Sequence, residues 1–133
     1  MTIAEALVAR LKAYTGLTAL IDLRVFPEEL PQGTELPAVT YITISDYKIH
    51  TLKGQDVLAR PSIQFTALGL TKSTVNAVGE QIKLALSDYQ GTLSGLTIQK
   101  IELTNDLPNL LTTADGTTKM FAEDLEYEVN YER

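Results

Sequence analysis

The segment "KMFAEDLEYEVNYE" alternates apolar and acidic residues with a period of two. That period belongs to an extended strand, whose successive side chains point to opposite faces. Phe121, Glu123, Leu125, Tyr127, Val129 and Tyr131 then share one face. Met120, Ala122, Asp124, Glu126, Glu128 and Asn130 share the other. A chain that ends this way must build a sheet with one covered and one wetter face.

Two segments carry the helical period instead. Ala4, Leu7, Val8 and Leu11 recur at i, i+3, i+4, i+7, and Thr2 with Glu5 forms a capping-box pattern. Val75, Val78, Ile82, Ala85 and Leu86 form a second stripe, with Thr71 or Ser73 as its N-cap and Gly91 beyond its end. A break is expected at Gly16, with one more short helical turn after it. "AVTYITISD" and "VLARPSIQFTAL" read as strands, as does "LTIQKIEL". Pro61 lacks a ladder donor, so its strand is expected at a sheet edge or bulged there. "FPEELPQGTELP", "YKIHTLKGQD" and "TNDLPNLLTTADGTT" read as loops from their prolines, glycines and polar residues. The expectation is a single α+β domain over residues 1–133. It has an antiparallel four-stranded sheet, two main helices packed on one face, the order α-β-β-α-β-β, and long loops.

Composition narrows the function. There is no cysteine, which excludes disulfides, thiolate nucleophiles and Cys-ligated zinc. The formal net charge is −6, from 11 Lys and Arg against 17 Asp and Glu, and the basic residues are scattered. A nucleic-acid surface needs a basic face, and an anionic membrane disfavours this balance. Glu5 and Arg10 interrupt any signal-peptide core, and no stretch reaches the ~20 apolar residues of a membrane span. A soluble, unexported protein is expected.

Few residues carry candidate chemistry. Asp124, Glu126 and Glu128 stand in a row ~7 Å apart on one strand face. Carboxylate pairs at that spacing serve acid–base catalysis. A cation, however, needs ligands within ~2.5 Å of one point, which a flat row does not supply. The simpler reading is a solvated strand face that discourages stray strand pairing on an outer strand, or meets a basic patch on a partner. Glu123, on the apolar face, is expected at the sheet end or paired with a Lys or Arg. His50 is the only histidine, with no nucleophile elbow anywhere, so it reads as a solvent-exposed loop histidine rather than a triad member, and multi-His metal sites are excluded. "LGLTKST" lacks the glycines of a phosphate loop. Tyr47 stands in a polar segment beside Lys48, His50 and Lys53, a candidate contact surface because exposed tyrosine favours interfaces.

One longer run has a recognisable order. "ALVARLKA" is followed by Arg24-Val25-Phe26-Pro27, then by Pro31-Gln32-Gly33, then by Leu36-Pro37 leading into a strand. This resembles the small tail-completion, or tail-to-head joining, proteins of long-tailed bacteriophages and prophages. "PSIQFTAL", "VNAVGEQIKLALSDYQG" and the last strand ending in Tyr131 extend the resemblance loosely over nearly the whole chain. Ala38 to Tyr41 and the stretch Asn105 to Thr118 depart from it. The resemblance implies a non-enzymatic structural protein without cofactor or metal, acting in the virion tail or neck after synthesis in the host cytoplasm. It implies a ring, of six subunits, at the head-proximal end of the tail tube. The implied partners are copies of the chain, the tail tube protein and the head connector. No membrane and no sequence-specific nucleic acid is involved, although DNA passes through such a ring. Assembly contacts are expected at Tyr47, Lys48, His50, Lys53, Asp124, Glu126 and Glu128. The alternatives are another tail or neck adaptor, or an unrelated α+β protein-binding module.

Overall fold

The hydroxyl of Thr2 accepts from the Glu5 amide (3.1 Å) and closes the first turn of α1, Ile3–Ala13. Its apolar stripe, from Ile3 to Leu11, is buried. The helix stops at Tyr14, whose extended backbone also starts α2, Thr15–Ile21, so Gly16 lies inside the second helix. Thr71 caps α3, Lys72–Leu86, by accepting from the Thr74 amide (3.2 Å). Val75, Val78, Gly79, Ile82, Ala85 and Leu86 form its buried side. A computed structural model describes residues 2–31, 33–51, 54–93, 95–112 and 119–132, with backbone alone for 45–51, 54–59, 109–112, 119 and 132.

Six strands complete the chain: β1 (Val25–Pro27), β2 (Ala38–Thr51), β3 (Gly54–Gly69), β4 (Gly91–Leu93), β5 (Leu96–Thr112) and β6 (Lys119–Glu132). They form one sheet in the order β1-β2-β3-β6-β5-β4. β1 runs parallel to β2, and every other pair is antiparallel. The sheet curls into a half-barrel. The expected antiparallel four-stranded sheet with two main helices in the order α-β-β-α-β-β is therefore corrected to a mixed six-stranded sheet with three helices. The two added strands are three residues each, too short to show a period, and β1 finds its partner only across the loop after Pro27.

The long loops are corrected too. Residues 47–51 and 54–58 are the arms of the β2–β3 hairpin, with Thr51 opposite Gly54. Residues 105–112 belong to β5, with Thr112 opposite Lys119. Polar, glycine-bearing sequence reads as loop, yet a hairpin arm needs only backbone pairing. Pro61 is not at an edge, since β3 lies between β2 and β6. On the β2 side it stands opposite Asp46, one pair beyond the register shift between Thr43 and Ser45. Its β6 ladder passes from Ala59–Tyr131 to Ser62–Glu128 without pairing Arg60 or Pro61.

The core lies between the helices and one face of the sheet. Val39, Ile63, Phe65, Ala67, Leu125, Tyr127, Val129, Ile98 and Ile101 point into it from four strands. Tyr41, Phe65 and Tyr127 form a chain of tilted and edge-on rings, with centroids 6.3 Å apart at each step. The Tyr127 ring is fully buried and its hydroxyl lies 3.4 Å from that of Ser87, just past α3. Arg10 ties α1 to the end of α3: its Nε donates to the Ala85 carbonyl (2.6 Å) and its guanidinium lies 3.7 Å from the Tyr89 ring centroid.

Truncating so large a buried ring leaves a void that the sheet cannot close. Tyr127→Ala is expected to lower unfolding stability by about 3–5 kcal/mol. Tyr127→Phe, which loses only a long hydroxyl contact, is expected to cost under about 1 kcal/mol. Urea denaturation of the three proteins measures both.

Candidate assembly surfaces

The acidic row stands in the middle of the sheet, not on an outer strand. β6 is flanked by β3 and β5, so Asp124, Glu126 and Glu128 have no exposed strand edge to protect. On one side they face Thr66, Gln64 and Ser62; on the other, Leu107, Asn105 and Glu102. All three acids are half-buried. Thr66 donates to Asp124 (2.8 Å) and accepts from Gln64 (3.3 Å). Glu128 stands directly opposite Glu102, a like-charge pair that costs stability on a sheet face. Lys100 lies 3.4 Å from Glu102 and relieves part of it. The Oδ1 of Asn130 is buried without a hydrogen-bond partner at the same end. Among the described residues no three acidic or histidine side chains converge as a metal ion requires.

Among the described residues no helix packs on this face, and exposed apolar residues stand at both of its flanks. Ile42 on β2 is 44% exposed, and Leu107 on β5 is 52% exposed. Ile42 pairs with Gln64, opposite Glu126, and Leu107 pairs with Asp124, so both belong to the open face. Ile44, at the β2 bulge, is also exposed.

The other expected contact surface is a strand rather than a loop. Tyr47, Lys48 and Ile49 pair with Arg60, Ala59 and Leu58. The side chains of Tyr47, Lys48 and His50, and Lys53 altogether, lie outside the described residues. The acidic row and the Tyr47 segment belong to one sheet, on β6 and β2, with β3 between them.

Glu123 is explained by the helix above it. It faces α3 at Gly79, where an added Cβ would overlap the tip of its side chain, so the glycine leaves the carboxylate room in its present position. Beside it, Lys83 of α3 bonds Asp106 of β5 (2.6 Å) and reaches Glu80 (3.5 Å). The hydrogen bond to Asp106 raises the Lys83 pKa, against the opposing effect of burial. Burial raises the Glu123 pKa, and the Asp106 charge adds to it, while Lys83 pulls the other way. The Oε1 of Glu123 has no hydrogen-bond partner. The sequence hints at this cluster through Glu123, an acid on an apolar face, and through the i, i+3 spacing of Glu80 and Lys83. Asp106 arrives from a segment that reads as loop.

With this geometry in place, relatives can be compared. The sequence model of the family described as "Tail completion protein gp17" matches residues 5–128. The chain belongs to that family. It is a structural tail protein, located in the tail or neck of a virion, and its family is not one of enzymes. As a virion component it contacts other tail or head proteins. No curated protein matches it. Among solved structures it is similar to a chain titled "Virion of native gene transfer agent (GTA) particle", with 18% identity and a TM-score of 0.79. The match covers 97% of this chain and 93% of that one. At that identity the likeness shows a shared fold.

The raised Glu123 pKa sets a pH dependence. An unfolded glutamate ionises near 4.5. The fold holds the proton more tightly, so ionisation costs stability above the raised value and costs nothing below about 4.5. Glu123→Gln is expected to be more stable than the parent protein at pH 7. The gap closes as pH falls through the carboxylate range. Thermal midpoints from pH 4 to 8 check this, and a less stable variant at pH 7 contradicts it.

Proposed function

We propose that this tail protein completes the tail: copies of the chain form a ring of six at the head-proximal end of the tail tube and join it to the head connector. The observation that carries the reading is the family match over residues 5–128, nearly the whole chain. The fold supports it. A closed ring needs two different contact surfaces on each subunit, and this sheet has two unlike flanks, β2 with β1 on one side and β5 with β4 on the other. The acidic row of Asp124, Glu126 and Glu128 lies on a face that no helix covers, where a basic surface of the tube or connector protein can meet it. The β2–β3 arm, with Tyr47, Lys48, His50 and Lys53, is the second proposed contact. The net charge of −6 opposes association of free copies away from the tube. DNA passes through the ring without sequence-specific contact, and no membrane or cofactor takes part.

Deleting the gene and imaging the lysate by negative-stain electron microscopy tests the role. DNA-filled heads beside separate tails are expected for a joint, and tails of irregular, excessive length for a terminator. Intact virions contradict the proposal. The arm is tested separately by Lys48→Glu with Lys53→Glu, which is expected to lower the yield of infectious particles at least tenfold. A wild-type yield removes the arm from the assembly surface.

A further inference from the structure

The two outermost strands cover little of the strands they flank. β1 pairs with Val39 to Tyr41 and then leaves the sheet at Glu28, where φ is 60°. The Glu28 amide donates to the Tyr41 carbonyl (2.7 Å) as the chain turns away, and Glu28 and the start of α1 still line a shallow cavity with Ile42 and Thr43. β2 from Ile42 to Thr51 therefore has no outer strand among the described residues. On the opposite flank β4 pairs only with Leu96 to Ile98. β5 from Lys100 to Thr112 is open in the same way. Unpaired backbone groups along such lengths are a template for another strand.

The side chains at the two open edges match. Ile42, with Ile44 at the bulge beside it, and Leu107 are exposed, and Ile42 and Leu107 share the helix-free face. No charge lies between Ile42 and Ser45. The β5 edge is guarded along its length by Lys100, Glu102 and Asp106, and Pro108 interrupts it just past Leu107. An edge with such features resists unspecific pairing and leaves a defined stretch for a chosen one.

We propose that the open β2 edge of one copy pairs with the open β5 edge of the next, continuing the sheet from subunit to subunit and setting Ile42 beside Leu107. This rests on the ring reading above and specifies its contact. The two edges are different and lie on opposite flanks, so the contact is head-to-tail and propagates to closure. A shared edge of ~8 residues is ~27 Å long. Such a strip buries a few hundred Å² per partner, on the order of half of the ~800 Å² of a stable pair. Isolated pairs are therefore weak. Closure, which gives every copy two such contacts, makes them persist.

The chain has no cysteine, so engineered ones report cleanly. Ile42→Cys is combined with Leu107→Cys, and in a second protein Ile44→Cys with Leu107→Cys. Each replaces exposed side chains. Tails assembled with these variants are oxidised and probed for this chain on non-reducing gels, and the same tails are averaged by electron microscopy. A ladder from dimer to the full ring is expected from at least one double variant, with none from the single variants. A visible ring without a ladder overturns edge pairing and leaves the ring reading standing. Dimers from a single variant overturn it as well, because they show an edge meeting its own kind. Tails without a ring overturn both.

Discussion

Everything in this chain is arranged around β6. It is the central strand that joins the two antiparallel hairpin systems, pairing with β3 on one side and β5 on the other. Its inward residues Leu125, Tyr127 and Val129 are fully buried, and Tyr127 touches both the Phe65 ring and the end of α3. Its outward residues place three carboxylates in the middle of the helix-free face. One period-two alternation thus sets both a central part of the core and an acidic row on the opposite face. A shift of one residue would exchange the two, which is why the register is strongly specified.

The alternation makes the two faces of this strand legible in the amino-acid sequence, and the capped stripes of α1 and α3 are legible for the same reason. Their signals are local. What stays hidden is non-local. Nothing in residues 119–132 says that β6 pairs with β3, far earlier in the chain, so the acidic row reads as an edge. β1 and β4 are too short to show a period, and Pro27 makes the first of them read as loop. The hairpin arms around Tyr47 and Asn105 are hidden by composition, since polar and proline-bearing strands need no alternation where no core lies beneath them. Of the candidate site, the residues of the row are legible and their central place is not. Glu123 stands out as an anomaly in the alternation, but its reason, the missing side chain at Gly79, comes from a helix packed across it.

The same features suit a structural protein of a virion tail. The core is anchored by aromatic rings and by Arg10, which ties α1 to α3, so the body holds its shape. The partly covered sheet flanks and the face that carries the acidic row lie apart from that core. The unbonded carboxylate oxygen of Glu123, under α3, and the like-charge pair of Glu102 and Glu128, on the other face, each cost stability.

The central claim is that this chain forms a ring at one place, where the tail meets the head. A cryo-electron microscopy reconstruction of the neck of the virion that encodes it tests that claim most directly. The account predicts one ring of copies of this fold between the tube and the connector, with β2 of each copy against β5 of the next. Copies repeated along the whole tube, or no density for the fold in the neck, would contradict it.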